Sequence, residues 1–229
     1  MNRLRKSKSG DTKTRILDTA EVLFAQKGFR QTSISQLARH AKVNLAAVNY
    51  HFGSKNGLME ALLERRLFPV HQLRMERLTA IQDEMRTEGQ VPEAAELISA
   101  FVEPAFSLTR EADGGKNFMM IASRLMSEPG DNMRPVFIRN FIPAFVLLFE
   151  LMQKSLPQVA EDDLLWRLHF VLGALSHAMR VHGTTLPPDM FPVDRTPETM
   201  TRLLVDFLTA GMQSASQPLE TGTQNEKRR

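Results

Sequence analysis

The sequence predicts an all-α fold of about nine helices, with three helices near the N-terminus and a larger helical domain after them. Apolar residues recur every three or four positions in almost every segment, and no segment alternates apolar and polar residues as a half-buried strand does. Apolar residues make up 42% of the 229 residues, enough for a substantial core. The chain has no cysteine, which excludes a disulfide scaffold, a thiolate metal site and a cysteine nucleophile.

The first three predicted helices fit within about 40 residues and have clear start signals. Asp11 is the expected N-cap of a helix over residues 11–27. Ser33 and Gln36 have the spacing of a capping box and open a second helix of two turns. After a very short turn, Asn44 caps the third helix. These signals predict a compact three-helix unit over residues 11–55.

A long fourth helix is predicted to begin after the N-cap Ser54 and to bend or divide near Phe68, because Pro69 removes a hydrogen bond from the helix. Proline and glycine then separate the remaining predicted helices, over residues 92–111, 115–127, 133–154, 161–182 and 196–213. We expect a flexible basic arm over residues 1–10 and a disordered polar tail over residues 214–229.

Charge is distributed unevenly along the chain. Residues 1–55 contain 11 Lys and Arg against 3 Asp and Glu, whereas residues 56–229 contain 18 against 23. The basic block favours binding to phosphate backbones or anionic membranes, and a solvated face without a partner is equally consistent with it. No apolar segment follows the basic N-terminus, and the longest apolar run, residues 141–149, is short for a membrane span. We therefore expect a cytoplasmic protein without membrane contact.

The second and third predicted helices have the pattern of a helix-turn-helix, in which the second helix of the pair enters the major groove of DNA. At 100° per residue, the outward side chains of that helix are Leu45, Ala46, Asn49 and Tyr50. Asparagine can bond an adenine edge, and small apolar side chains can contact a thymine methyl group. At the starts of neighbouring helices, Thr32, Ser33 and Lys55 are expected to bind phosphates. Interior packing is the alternative for Tyr50 and His51.

The run TRILDTAEVLFAQKGFRQTSISQLARHAKVNLAAVNYHFGSKNGLMEAL, residues 14–62, closely resembles the N-terminal domain of TetR-type transcriptional regulators. That family usually has glycine in the turn where this chain has Lys42. A left-handed conformation there costs a non-glycine residue roughly 1 kcal/mol, while the lysine gains a phosphate contact. With Lys42 included, the predicted DNA-binding residues are Thr32, Ser33, Lys42, Asn44, Leu45, Ala46, Asn49, Tyr50, His51 and Lys55.

The resemblance implies that residues 56–213 form a helical ligand-binding and dimerisation domain, with the last two long helices pairing in a homodimer. Residues 164–179 are similar to the equivalent helix of PsrA-like, fatty-acid-responsive members, which implies a fatty acid or acyl-CoA effector. The predicted ligand-binding residues are Met119, Met120, Arg124, Phe141, Phe145, Phe149, Trp166, His169 and Phe170. Arg124, Arg139, Arg167 and His169 are the candidates for binding the head group.

The resemblance thus implies a ligand-responsive regulator, specifically a repressor, that binds a palindromic double-stranded operator and regulates genes of lipid metabolism. The chain lacks common nucleotide-binding, hydrolase and metalloprotease motifs, so we expect no enzyme, no cofactor and no metal site. Two alternatives stay open. The helix-turn-helix unit is also consistent with a protein-binding adaptor, and the effector with another hydrophobic compound such as a drug.

Overall fold

The computed structural model describes residues 2–107, 112–127, 134–183 and 196–215, and all regular structure in these ranges is α-helical. The helices described are α1 (Asn2–Lys27), α2 (Ile34–His40), α3 (Leu45–Phe52), α4 (Lys55–Glu88), α5 (Ala94–Ser107), α6 (Ala112–Ser127), α7 (Arg134–Ser155), α8 (Glu161–Gly183) and α9 (Pro197–Gln213). The all-α prediction is therefore confirmed. The predicted tail lies outside the described residues from residue 216 onward.

Helices α1, α2 and α3 pack together as the sequence predicts, and the start signals of α2 and α3 operate as caps. The Ser33 hydroxyl accepts the backbone N–H of Gln36 at 3.1 Å at the start of α2. The side-chain oxygen of Asn44 accepts the N–H of Ala47 at 2.7 Å at the start of α3. Each cap satisfies a backbone donor that lacks a partner within the first turn.

Two helix starts differ from the prediction because glycine and capping signals are weaker than the continuity of a helix. Helix α1 begins at Asn2, so Asp11 lies inside it and the arm over residues 2–10 is helical. Leu, Arg and Lys in that arm have good helix propensity. Helix α6 begins at Ala112 and includes Gly115, which is buried. A helical glycine costs about 1 kcal/mol, which tertiary packing can offset.

Helix α4 runs without interruption through Pro69, so the predicted division near Phe68 is wrong. Both residues are exposed, while Leu67 and Val70 beside them are buried. Packing on the buried face thus holds the helix together where the proline removes one hydrogen bond. Helix α4 contacts α1 and α3 near its start and α5 and α7 further along. It therefore connects the three-helix unit to the larger domain.

Helices α5 to α9 pack with α4 around one apolar core. Among the helices described, one segment, residues 135–155 of α7, is long and apolar enough by length and composition to cross a membrane. The sequence prediction considered only uninterrupted apolar runs and missed this property. A core helix passes the same test, and Ala144, Leu148 and Leu151 of α7 are fully buried in the protein.

Candidate nucleic-acid interface and effector cavity

The outer face of α3 is uncovered along its whole length. Tyr50 is 83% exposed, Leu45 is also exposed, and Asn49 lies beside them on the surface. On the opposite side of the same helix, Val48 is buried against α1 and α2. One buried residue anchors the helix, so the exposed side is free to contact a partner. The predicted outward positions, including Ala46, are all exposed in the structure.

Two other residues of the predicted face are partly engaged within the protein. The Asn44 side-chain oxygen serves as the cap of α3, which leaves its amide N–H groups as the donors for a partner. The His51 ring is half-buried and lies 5.1 Å from the Tyr50 ring and 6.1 Å from the Phe52 ring, between centroids. Phe52 packs partly against the core. His51 therefore lies at the edge of the exposed face.

Lys42, at the position where the family usually has glycine, adopts a left-handed conformation with φ of 53°. Its N–H donates to the Arg39 carbonyl at 3.2 Å, and the N–H of Val43 donates to the Ala38 carbonyl at 3.0 Å. These bonds close the turn between α2 and α3. A lysine in this conformation costs about 1 kcal/mol relative to glycine. Its side chain is exposed beside the start of α3.

The side chains of Thr32 and Lys55, which the sequence predicts as phosphate ligands, are both engaged within the protein. Thr32 is buried, and its hydroxyl contacts the carbonyls of Gly28 at 2.9 Å and Leu23 at 3.4 Å. The Lys55 ammonium donates to the carbonyls of Phe29, Arg30 and Thr32 at 3.0, 3.4 and 3.1 Å. It also lies 4.5 Å from the centre of the Phe29 ring. Both side chains hold the turn between α1 and α2.

Replacing Lys55 by Met is expected to lower the free energy of unfolding by about 1.5 kcal/mol, because the turn loses charge-assisted hydrogen bonds to its carbonyls. Urea denaturation measures this difference. The exposed Lys13→Met on α1 is the control and should change stability little. Lys55 would instead be a phosphate ligand if the variant has an unchanged unfolding midpoint and the slope of log affinity for DNA against log salt concentration falls by about one.

The three-helix unit is joined to α4 by a buried ion-pair cluster. Glu21 on α1 is only 2% exposed, and its carboxylate accepts hydrogen bonds from Arg65 at 2.5 Å and Arg66 at 3.0 Å. Arg65 also pairs with the exposed Asp18 at 2.7 Å. One carboxylate thus holds two guanidinium groups of the helix that leads into the larger domain.

Helix α6 makes a second connection to α1. The Arg124 guanidinium donates to the carbonyl of Phe24 at 3.4 Å and lies close to Gly28 at the end of α1. The structure therefore places Arg124 at the contact between the two domains and outside the effector cavity predicted for it. Met119, on the same helix, is fully buried in the core.

A small cavity lies among α4, α5, α6, α7 and α8. Its wall includes Leu67, Val70, Phe118, Phe137, Phe141 and Met179. Of the predicted ligand-binding residues, Phe141 lines this cavity, and Phe145 and His169 lie further along the same aromatic row. Met120, Phe145 and Phe149 are half-buried against the core.

Arg74 also lines the cavity, and the sequence prediction missed it. It is 3% exposed, and its Nε–H donates to the carbonyl of Phe101 at 2.7 Å. Burial lowers the pKa of its guanidinium to about 10, which leaves it charged at neutral pH. Burial and the charge of Arg74 lower the pKa of His71 one turn earlier. The signal was present in the sequence, since Arg74 continues the apolar stripe of Leu67 and Val70 on α4.

Three predicted ligand-binding residues lie on the surface of α8 and not in the cavity. Trp166 and Phe170 are both more than 60% exposed, and His169 is exposed between them. The inward face of α8 is formed instead by Leu164, Leu168, Val171 and Leu175. The register of this helix on the core decides which side chains are internal.

The predicted head-group arginines also lie away from the cavity. Arg139 is exposed on α7. Arg167 donates from one nitrogen to the carbonyls of Met212 at 2.6 Å and Ser214 at 2.8 Å, and so caps the end of α9. Within the described part of the chain, no three His, Asp or Glu side chains are grouped as metal ligands.

A three-helix unit with an exposed third helix, joined to a helical domain with an internal cavity, defines a two-domain helix-turn-helix regulator. Residues 16–62 match the family model of bacterial regulatory proteins of the tetR family, and residues 99–211 match the tetracyclin repressor-like C-terminal domain. Together the two matches cover more than two thirds of the chain. The chain belongs to the TetR family of transcriptional regulators, which is a regulator family and not an enzyme family.

Relatives found by sequence match only part of the chain. A probable HTH-type transcriptional regulator of Bacillus subtilis, YttP, is 48% identical over 52 residues, which are 23% of this chain and 25% of that protein. The uncharacterised regulator YvkB of the same organism is 43% identical over 54 residues, 24% of this chain and 29% of that one. The matches therefore span less than a third of these relatives.

Among solved structures, NalD, the secondary repressor of the MexAB-OprM multidrug efflux pump in Pseudomonas aeruginosa, is 26% identical with a TM-score of 0.58. The alignment covers 89% of this chain and 97% of NalD. AibR, solved with isovaleryl coenzyme A and operator DNA, shares the fold with a TM-score of 0.60 at 19% identity. That alignment covers 86% of this chain and 98% of AibR.

Proposed function

We propose that this protein is a repressor that binds a palindromic operator through α3 and releases it when an effector enters the larger domain. The observation that carries the proposal is the free outer face of α3, where Leu45, Asn49 and Tyr50 are exposed together. A short helix gains nothing for the core by presenting a tyrosine and an amide in this way. Both groups suit base edges and phosphates.

The charge distribution supports the same assignment. The excess of Lys and Arg lies in residues 1–55, which include α3, and the rest of the chain carries more acidic than basic residues. Positive charge near α3, the proposed recognition helix, attracts DNA, and negative charge elsewhere opposes binding in other orientations. Lys42 in the turn and Ser33 at the start of α2 are exposed where they can reach the phosphate backbone.

A homodimer is the second part of the proposal, and the surfaces of α8 and α9 support it. Both helices present large apolar side chains to solvent, namely Leu165, Trp166, Phe170, Leu203 and Phe207. At Gly173 and Gly211, which are exposed on these helices, an added Cβ would meet no described atom of the chain within 4 Å. Glycine there is not required by packing within one chain, but it permits close approach of a second one. A dimer also places two recognition helices about 34 Å apart, one helical turn of DNA.

The effector that we propose is a long-chain fatty acid or acyl-CoA, which follows from the similarity of residues 164–179 to fatty-acid-responsive members. AibR shows that this fold accommodates an acyl-CoA together with operator DNA. NalD, a repressor of a multidrug efflux pump, favours the alternative of a drug-like effector. Regulation of lipid-metabolism genes depends on the acyl proposal.

The first experiment is a gel shift with the DNA upstream of the gene, with and without long-chain acids, acyl-CoA and hydrophobic drugs. The double variant Asn49→Ala/Tyr50→Ala should bind at least about 10-fold more weakly, since each base contact contributes about 1 to 3 kcal/mol. Its thermal stability should equal that of the wild type because both side chains are exposed.

The exposed Gln72→Ala on α4 is the matched control and should bind DNA like the wild type. Absence of a shift with any genomic fragment would remove the DNA-binding proposal and favour the protein-binding adaptor. A shift that only drugs abolish would exclude the acyl effector and retain the regulator.

A further inference from the structure

The buried guanidinium of Arg74 is the feature of the larger domain that packing alone does not explain. It lies in the wall of the cavity, 4.8 Å from the centre of the Phe101 ring and 5.1 Å from that of Phe141. Among the described residues, its hydrogen bonds and ion pairs are limited to the bond from Nε to the Phe101 carbonyl. The four N–H groups on the two terminal nitrogens take no part in that bond.

A charged group buried in this way is unfavourable unless an anion compensates it. The two aromatic rings and the carbonyl offset part of the desolvation cost, but none of these three groups supplies a negative charge. An apolar side chain of similar volume would fill the same space more favourably. The arginines at the contact between α1 and α4 differ in this respect, because Arg65 and Arg66 share the carboxylate of Glu21.

We propose that Arg74 binds the anionic group of the effector, so that the effector is an organic acid with an apolar body. The planar guanidinium can bind a carboxylate through two parallel hydrogen bonds. The apolar body would lie among side chains such as Phe118, Phe137 and Met179. This inference rests on the proposed function, since it assigns the chemical class of ligand to which the larger domain responds.

The size of the cavity connects this binding site to regulation. The cavity has a volume of about 20 Å³, which is room for one water molecule. An organic acid therefore enters only when α4 to α8 move apart. Because α4 continues to the three-helix unit and α6 contacts α1 through Arg124, the movement that admits the acid also displaces the recognition helix.

The test compares octanoate with octan-1-ol, two compounds with the same chain length that differ in charge, by isothermal titration calorimetry without DNA. The wild type is expected to bind octanoate at least about 10-fold more tightly than octan-1-ol. In Arg74→Met, octanoate should bind about 10-fold more weakly than to the wild type, while octan-1-ol binds as before. Arg74→Lys keeps the charge without the paired donors, so its octanoate affinity should lie between those of the wild type and Arg74→Met.

Arg77→Met is the matched control, because Arg77 is on the same helix but pairs with Glu103 at 2.7 Å outside this cavity. Circular dichroism melting establishes that each variant is folded. Equal octanoate affinity of Arg74→Met and the wild type would overturn the proposal. So would a wild type that binds neither compound at millimolar concentration, or both equally. A wild type that binds octanoate as expected but binds no operator would overturn only the proposed function.

Discussion

Replacing Glu21 by Gln is expected to lower the free energy of unfolding by about 3 kcal/mol. Removing one partner of a buried ion pair typically costs 3 to 5 kcal/mol, since the opposite charge remains without compensation. The lower value applies because the side chains of Arg65 and Arg66 are 25% and 16% exposed, so water reaches them in part. Urea denaturation followed by circular dichroism measures the change.

Asp18→Asn is the control for this prediction, because Asp18 pairs with the same Arg65 but its side chain is 59% exposed. An exposed ion pair contributes less than about 1 kcal/mol. If both variants lose the same stability, the burial of Glu21 at the contact between α1 and α4 does not add to the free energy of unfolding. A loss confined to Glu21→Gln shows that this carboxylate fixes the three-helix unit on α4.

The double variant Phe170→Glu/Phe207→Glu is expected to convert the proposed homodimer into a monomer. Phe170 is 67% exposed and Phe207 is 71% exposed in the single chain, so each change affects the core of the chain little. Four carboxylates in the proposed interface would repel one another and remove aromatic contacts, which typically include the strongest contributions to an interface. We expect the dissociation constant of the dimer to rise at least about 100-fold.

Sedimentation velocity measures the oligomeric state, and Val91→Glu is the control, because Val91 is an exposed apolar residue between α4 and α5. That variant should remain dimeric. A wild type that sediments as a monomer at micromolar concentration would contradict the prediction directly. A monomeric variant should also lose operator affinity, since one recognition helix then reads only half of a palindrome.

Much of the N-terminal unit could be predicted from the sequence because its signals are local. The caps at Ser33 and Asn44 act within one helical turn, and the exposed face of α3 follows from its period alone. The left-handed residue of the turn, Lys42, likewise stands where the family usually has glycine. Such features depend on residues three or four positions apart, and a sequence displays that spacing directly.

The role of a polar side chain was decided by contacts that the sequence does not display. Thr32 and Lys55 lie at helix starts and have the chemistry of phosphate ligands, yet the folded chain brings carbonyls of the turn between α1 and α2 within their reach. Sequence spacing cannot reveal this arrangement, because Lys55 and Phe29 are 26 residues apart.

The sequence by itself determined the all-α class, the caps of α2 and α3, the charge distribution and the resemblance to the family. Only the tertiary structure decided which face of each later helix is internal, and so placed Trp166 and Phe170 at the surface and Arg74 at the cavity. The physical reason is that a helix such as α8 carries large apolar side chains on both its buried and its exposed face. Several rotations of such a helix bury similar apolar area, and the fit of neighbouring helices selects one of them.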